Sequence, residues 1–155
     1  MISDIIFIDA NIPIHAGRLS KSPADEKVVQ SCQAVLEATA KREIMGVADI
    51  CVLEEVVFRG WKEKLFTEGL GVFKKFSAIV NNVLSIDEED LSIFENLCEK
   101  YGRQTAEPMD YLHAAVMINH NIKIICSCDD DFDLIKEVKR IDPIDLAKQL
   151  KKRIK

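Results

Sequence analysis

The stretch that decides the fold is PMDYLHAAVMINHNIKIICSCDDDFD, at residues 108–133. Its pattern predicts a helix with Asp110 in the first turn, then a buried strand at residues 122–126, and after it three consecutive acids. Strand ends and helix N-termini are where an α/β sheet builds its ligand site. Carboxylates collected at such a place repel one another unless a cation lies between them. The stretch therefore predicts a bound divalent metal ion.

Short apolar runs alternate with helical patterns along the rest of the chain. Strands are predicted in four places: residues 5–8, 44–47 and 122–126, and an edge strand around Val138. Ser22 and Asp49 are predicted to cap helices, and Gly69 and Gly71 to break the chain before an amphipathic segment at residues 72–80. The alternation predicts a three-layer α/β/α fold with a mostly parallel central sheet.

The length of 155 residues predicts one domain, residues 1–155, that is large enough to bury a core. Apolar residues make up 48% and charged residues 30%, the composition of a globular protein. No apolar run approaches the roughly 20 residues that a membrane span needs, and the N-terminus lacks the basic region of a signal peptide. We therefore expect a cytoplasmic protein without a membrane partner.

The net charge and the cysteines argue against two kinds of function, the wrapping of nucleic acid and the binding of zinc. A formal charge of −5 argues against a protein that wraps nucleic acid through its overall field, although it permits a local basic rim. The five cysteines are odd in number, and Cys126 and Cys128 lack the two-residue gap of zinc knuckles. Buried thiols in a reducing compartment are the interpretation that we favour over a zinc site.

Acids follow the strand ends in a way that predicts one shared cluster. Asp9 ends the first strand and Asp129 follows a later one, so both are expected at the same edge of a parallel sheet. Asp110 adds a third carboxylate, and Glu54 or Glu55 a fourth. Each acid alone has a structural alternative, as a cap or a solvated side chain, but their corresponding positions favour a site. Oxygen-only ligands suit Mg²⁺ or Mn²⁺.

Three stretches resemble the motifs of the PIN domain, a metal-dependent ribonuclease fold that includes the VapC toxins of bacteria and archaea. FIDAN at residues 7–11 resembles the opening strand with its Asp-x-Asn pair. DYLHAAV at residues 110–116 is similar to the Asp-x-x-His-Ala-Ala helix start. SCDDDF at residues 127–132 resembles the Ser/Thr-x-Asp-x-Asp-Phe ending. The acids fall in the family's order along nearly the whole chain.

The resemblance implies that four carboxylates hold one or two Mg²⁺ or Mn²⁺ ions: Asp9, Glu55, Asp110 and Asp129. It also implies hydrolysis of RNA by a water activated on the metal, which leaves a 5′-phosphate and a 3′-hydroxyl and needs no nucleophilic side chain. Counting from Asp49, which stands where the family usually has a small hydroxyl cap, favours Glu55 over Glu54. Both glutamates stay candidates.

Six further residues are candidates for supporting or RNA-contacting roles. Asn11 and Ser127 are expected to orient the carboxylates, and Asp131 either joins the site or caps the following turn. His113, one turn after Asp110, either helps to orient that acid or serves only the packing. The loop residues Arg18 and Lys21 are candidates for contact with the RNA backbone, with a solvated loop as the alternative.

The partners that the resemblance implies are RNA, a small antitoxin protein and a second copy of the chain. Two other functions compete with a nuclease. A haloacid-dehalogenase-type phosphohydrolase also begins with an acid at a strand end, but it needs a second Asp where this chain has Asn11. An RNA-binding or assembly module with a degenerate site would bind RNA without cleaving it. The retention of all the acids favours the nuclease over both.

Overall fold

The computed structural model of the chain describes residues 5–20 and 24–153, and the sheet lies at its centre. In these residues the strands are β1 (Ile5–Ile8), β2 (Met45–Asp49), β3 (Asn82–Leu84), β4 (Ile124–Cys126) and β5 (Lys139–Ile141). The strand order is β3-β2-β1-β4-β5, and every pair is parallel. The predicted α/β architecture with a parallel central sheet is confirmed.

Helices connect the strands and cover the sheet. They are α1 (Asn11–Ala16), α2 (Glu26–Ala40), α3 (Ile50–Lys62), α4 (Phe66–Ile79), α5 (Glu88–Tyr101), α6 (Pro108–Asn119) and α7 (Pro143–Arg153), with a 3₁₀ turn at Asp130–Leu134. None of the helices in the described ranges has both the length and the apolar character that a membrane crossing requires.

The central strand β1 fixes the position of the site. Its residues Ile6, Phe7 and Ile8 are buried, as expected for a strand covered on both faces. From β1 the chain continues to β2 on one side and later returns to β4 on the other. The carboxyl ends of β1 and β4 therefore form the point where the direction of winding reverses, which is where open α/β sheets bind ligands.

Helix α6 packs against β1 through its His113 ring, whose centroid lies 5.6 Å from that of the Phe7 ring. Ala114 and Ala115 are fully buried, so no side chain holds the helix away from the strands. Pro108 occupies the first helical position and Asp110 the first turn, as the sequence predicts. The packing of α6 thus fixes where the Asp110 carboxylate lies.

Several boundaries differ from the sequence prediction. Helix α2 begins at Glu26 and is capped by Asp25, whose side chain accepts from the Lys27 amide, whereas the predicted cap Ser22 lies outside the described residues. The short elements α1 and β3 were not predicted, because six and three residues are too few to show a period. The edge strand β5 begins one residue after Val138.

The prediction that Gly69 and Gly71 break the chain is wrong, because α4 runs through both. Gly69 faces Gly60 of α3, and a Cβ built on Gly60 would lie 2.7 Å from the Gly69 Cα. The two glycines therefore allow α3 and α4 to approach more closely than any side chain would permit. Glycine here serves close helix packing rather than a turn.

Replacing Gly69 by Ala is expected to lower the free energy of unfolding by about 1–3 kcal/mol, the usual cost of forcing atoms into a packed site. The new Cβ would lie 2.8 Å from the Gly60 Cα, and backbone cannot move aside cheaply. The matched change Gly71→Ala places its Cβ in open space, so it should raise the free energy of unfolding by about 0.5–1 kcal/mol. Urea denaturation measures both, and effects of the same sign would contradict this packing.

Candidate metal centre

Asp9 lies at the carboxyl end of β1 and is almost fully buried. Its Oδ2 accepts hydrogen bonds from Ser127 Oγ at 2.7 Å and Asn11 Nδ2 at 3.0 Å, and its Oδ1 accepts from the Ala10 amide at 2.8 Å. Burial raises the pKa of Asp9, against the opposing effects of the His113 charge and the Ser127 hydrogen bond. The carboxylate is thus held in one orientation, and a nitrogen of the His113 ring lies within 4.8 Å of one of its oxygens.

Asn11 and Ser127 connect the two strand ends that meet at the site. Asn11 Nδ2 also donates to Ser127 Oγ at 3.0 Å, and Asn11 Oδ1 accepts from the Cys128 amide at 3.1 Å. The Asp129 amide in turn donates to Ser127 Oγ at 3.0 Å. These contacts lock the loop after β4 onto the end of β1, so Asp9 and Asp129 keep a fixed separation.

Asp110 reaches the same place from the first turn of α6. Its Oδ2 accepts from the Glu107 amide at 2.8 Å, which fixes the side chain as part of the helix cap. Burial, together with the charges of Asp9 and Asp129, raises the pKa of Asp110 to about 7, although the Glu107 amide opposes the shift. Burial is the largest cause of this shift in the pKa, and the neighbouring carboxylates add to it.

The turn after β4 contributes two acids of the predicted set. Asp129 Oδ1 accepts from the Asp131 amide at 2.9 Å and so caps the 3₁₀ turn, a role that had been a possibility for Asp131. Burial and the Asp131 charge raise the pKa of Asp129. Carboxylate oxygens of Asp110, Asp129 and Asp131 lie within 4.8 Å of one another. Asp131 therefore belongs to the same group of carboxylates as Asp110 and Asp129.

His113 contacts Glu55 and Asp49, and it does not contact Asp110 as one prediction had it. Its Nδ1 lies 2.7 Å from Asp49 Oδ2 and its Nε2 lies 3.3 Å from Glu55 Oε2. Burial alone would lower the pKa of His113, but the two carboxylates outweigh it and raise this pKa well above its ordinary value. The ring is therefore an imidazolium, and its contact with Oε2 holds the Glu55 side chain in place.

Asp49 is the member of this arrangement that the sequence did not reveal. As predicted, it caps α3, with Oδ1 accepting from the Val52 amide at 2.9 Å. Its second oxygen is fully buried against His113, a contact across 64 positions of the sequence. The residue type at position 49 could have pointed to this role, because the PIN resemblance implies a small hydroxyl residue at this cap and the chain has an acid there. A buried charge there calls for a buried cation.

Of the two candidate glutamates, Glu55 is in the described lining of the cleft in front of these acids and Glu54 is not. The described lining includes the carboxylates of Asp9, Glu55, Asp110, Asp129 and Asp131, and also Asn11, Phe58, Arg59, Lys62 and Glu107. Glu54 is exposed and does not occur in this lining. Successive helical residues differ by about 100° in direction, so only one of the two can face the cleft.

The predicted RNA-contact residues lie apart from the cleft or outside the described chain. Arg18 binds both Glu26 oxygens, at 3.0 and 2.8 Å, and is not part of the described lining. Lys21 lies outside the described residues. Arg59 and Lys62 are the cations that do line the cleft, and neither was proposed for RNA from the sequence.

A family model for the PIN domain matches residues 6–138. The chain belongs to the PIN domain family. Ribonuclease VapC13 of Mycobacterium tuberculosis is 29% identical over 137 residues, which cover 88% of this chain and 99% of that protein. VapC ribonuclease Mb1869c of Mycobacterium bovis matches to the same extent.

Several solved structures share the fold of this PIN domain. VapBC2 from Rickettsia felis, bound to a DNA fragment from its promoter, gives a TM-score of 0.66 at 18% identity and covers 89% of this chain and 98% of that chain. FitAcB from Neisseria gonorrhoeae gives 0.59 at 19% identity, with 89% and 97% covered. At these identities the likeness concerns the fold alone.

The donor set of this PIN domain fits a hard divalent cation. His113 is a poor ligand, because both its nitrogens contact carboxylates and an imidazolium has no free lone pair. That leaves carboxylate oxygens, the ligands that Mg²⁺ and Mn²⁺ prefer. Burial is the largest cause that raises the pKa values of Asp9, Asp110 and Asp129, and a bound cation would stabilise their charged forms.

Proposed function

We propose that this PIN domain is a Mg²⁺- or Mn²⁺-dependent endoribonuclease. The observation that carries the proposal is the convergence of four carboxylates from separate elements on one cleft at the switch point of the sheet: Asp9, Glu55, Asp110 and Asp129. The two relatives named above, which match 88% of this chain, are called ribonucleases. The cleft also contains the basic side chains of Arg59 and Lys62, which suit a polyanionic substrate.

Each acid is prepared for the proposed role by a different neighbour. Hydrogen bonds from Ser127 and Asn11 hold Asp9, and the His113 imidazolium holds Glu55. The amide of Glu107 holds Asp110. When bound, the divalent ion would supply an activated water and neutralise charge on the phosphate. The chain's contribution is thus a rigid set of oxygens that loses little entropy on binding the ion.

Water is the nucleophile that the cleft favours. The described lining carries no hydroxyl or thiol side chain, and the nearby Ser127 is fully buried with its Oγ donating to Asp9. Among these lining residues a carboxylate is the remaining candidate to carry a covalent intermediate, as it does in dehalogenase-type enzymes. Asn11 also donates its amide to Asp9 and has no acidic proton to give, which disfavours a dehalogenase-type phosphohydrolase. We expect products with a 5′-phosphate and a 3′-hydroxyl.

Glu55→Gln is expected to lower Mn²⁺-dependent RNA cleavage by at least about a hundredfold, a loss typical of one missing electrostatic contact in an active site. Glutamine keeps the size of the side chain and an oxygen for His113, so the fold should persist. Glu54→Gln is the matched control, because that side chain is exposed and its activity should stay within about twofold of the wild type. Cleavage of a fluorescently labelled single-stranded RNA measures both.

The pair of variants decides which glutamate completes the cluster. Full activity of Glu55→Gln, or an equal loss in Glu54→Gln, would remove Glu55 from the proposed site. A circular dichroism melt of each variant separates a loss of activity from a loss of fold. The same assay with product-end analysis tests the predicted 5′-phosphate.

We also propose a small antitoxin as a protein partner. The support comes from the solved relatives, whose descriptions name VapBC and FitAB assemblies and, in one case, a toxin–antitoxin complex from Klebsiella pneumoniae. The proposal predicts a small DNA-binding protein encoded next to this chain that co-purifies with it and inhibits cleavage. Failure of the neighbouring product to bind would contradict it and leave the nuclease proposal intact.

A further inference from the structure

Two exposed aromatic rings lie beside the cleft and have no part in the metal chemistry proposed above. Phe58 is 49% exposed and Trp61 is 64% exposed. Their ring centroids are 5.6 Å apart, with the planes tilted by 31°. Large aromatic side chains usually bury most of their surface, and two in contact on the outside form a surface suited to a ligand. We refer to Phe58 and Trp61 as the aromatic pair.

Helix α3 places two cations next to the aromatic pair. Glu55, Phe58, Arg59 and Lys62 line the cleft and follow the spacing of one helical face. Trp61 extends this face through its contact with Phe58. Neither Arg59 nor Lys62 occurs among the ion pairs of the described residues. Both cations can therefore meet an incoming anion.

A nucleotide strand is the ligand whose chemistry matches this face. Each nucleotide offers a flat apolar base and an anionic phosphate, and proteins bind single strands by stacking bases on aromatic rings beside cations. In a duplex the base faces are covered by their neighbours, so only an unpaired base can reach the rings. The face also continues directly into the carboxylate cluster, where a phosphodiester would be cut.

We propose that Phe58 and Trp61 form a stacking subsite for an unpaired RNA base, with Arg59 and Lys62 holding the adjoining phosphates. The subsite deepens the proposed function and rests on it for the identity of the polymer. It makes a single-stranded segment at the cleavage point a requirement for productive binding. Substrate selection then depends on α3 as well as on the metal centre.

A protein partner is the competing occupant, and Phe66 distinguishes it from RNA. Phe66, at the start of α4, is 51% exposed but does not occur in the described lining of the cleft. A protein that covers the α3–α4 surface for its apolar area would gain from Phe66 as well as from the aromatic pair. A base stacked beside the cleft would leave Phe66 untouched.

Trp61 reports on the subsite directly because it is the only tryptophan of the chain. The whole 155-residue chain is titrated with three probes: an eight-nucleotide single-stranded RNA, an abasic strand of equal length and a blunt duplex. Ca²⁺ is present to supply a hard cation to the acids. The intact single strand is expected to quench Trp61 fluorescence, and the other two are not. Absence of quenching by the single strand, or equal quenching by the abasic strand, overturns the proposal.

Variants test the same subsite by the anisotropy of a labelled single strand. Phe58→Ala and Trp61→Ala should weaken binding by about 5- to 150-fold in Kd, the range for one stacked base. Trp61→Phe should restore most of the affinity, because it keeps a ring, and Phe66→Ala should bind like the wild type. Equal weakening by Phe66→Ala would indicate a general apolar docking surface and would overturn the subsite.

The failure of the subsite and the failure of the nuclease proposal give different results. Fluorescence quenching needs binding only, so it decides the subsite even if the wild type does not cleave RNA with Mn²⁺. If the wild type does cleave, Trp61→Ala should raise KM far more than it lowers kcat, as loss of a binding contact does. A loss confined to kcat would contradict the role of Trp61 in substrate binding.

Discussion

Asp110→Asn is expected to lose at least about a hundredfold of Mn²⁺-dependent RNA cleavage while the metal-free protein becomes more stable. The carboxylate is the central negative charge of the cluster, with Asp9 and Asp129 beside it, and its pKa is raised to about 7. Asparagine keeps an oxygen for the Glu107 amide, so the helix cap should survive. Cleavage assays and metal-free thermal melts measure the two effects.

The gain in stability should depend on pH in a defined direction. Because the pKa of Asp110 in the folded state lies above its ordinary value of 3.8, the folded protein holds this proton more tightly than the unfolded chain. The free energy of unfolding of the wild type should therefore fall as the pH rises from about 4 to about 7. That of Asp110→Asn should fall less over the same range. At pH 8 in EDTA we expect the variant to melt at least about 2 °C higher, which corresponds to about 1 kcal/mol.

Asp130→Asn is the control for this experiment, because Asp130 is exposed and does not occur in the described lining of the cleft. Its cleavage rate and melting temperature should stay close to those of the wild type. A wild-type rate in Asp110→Asn would remove Asp110 from the site. If Asp110→Asn melts at a lower temperature than the wild type at pH 8 without metal, the Asp110 carboxylate stabilises the fold and the expected gain in stability is wrong.

His113→Ala is expected to cause the largest loss of stability, about 3–5 kcal/mol, because it leaves Asp49 as a buried charge without its partner. Both side chains are almost completely buried, at 1% and 0% exposed. For a chain of this size the loss corresponds to a melting temperature lower by roughly 6–20 °C. The exposed His120, at the end of the same helix, provides the control, and His120→Ala should change stability by no more than about 0.5 kcal/mol.

The stabilisation by His113 should also weaken as the pH rises. A histidine whose folded pKa lies above 6.5 contributes fully below that pH, and the contribution is lost as the pH rises through the folded value. The difference in unfolding free energy between the wild type and His113→Ala, from urea denaturation, should therefore be largest below pH 6.5. A difference that grows at alkaline pH would contradict an imidazolium between Asp49 and Glu55.

The sequence could predict the parts of the site that local signals mark. Asp9 ends an apolar strand, Asp110 lies two residues after a proline at a helix start, and Asp129 follows a second apolar strand. Each position depends on neighbours in the chain, and the parallel topology then brings all three to one edge. Hence the cluster was predictable before any contact was known.

Other parts depend on contacts that no local pattern records. The ion pair of His113 with Asp49 joins residues 64 positions apart, and it exists only because α6 packs against the start of α3. The choice between Glu54 and Glu55 depends on the rotation of α3, which its packing sets. Gly69 was wrongly predicted to break the chain because glycine is common in turns. Its actual role is to pack against Gly60, which lies on another helix and cannot be identified from the residues around position 69.

The central claim, a divalent metal site that hydrolyses RNA, is tested most directly by one Mn²⁺ titration of the wild-type protein. Melting temperature and cleavage of a single-stranded RNA are followed at each metal concentration. We predict that the melting temperature rises with Mn²⁺ and that cleavage appears over the same concentration range. A melting temperature that does not respond to Mn²⁺, or RNA that stays intact at saturating metal, would contradict it.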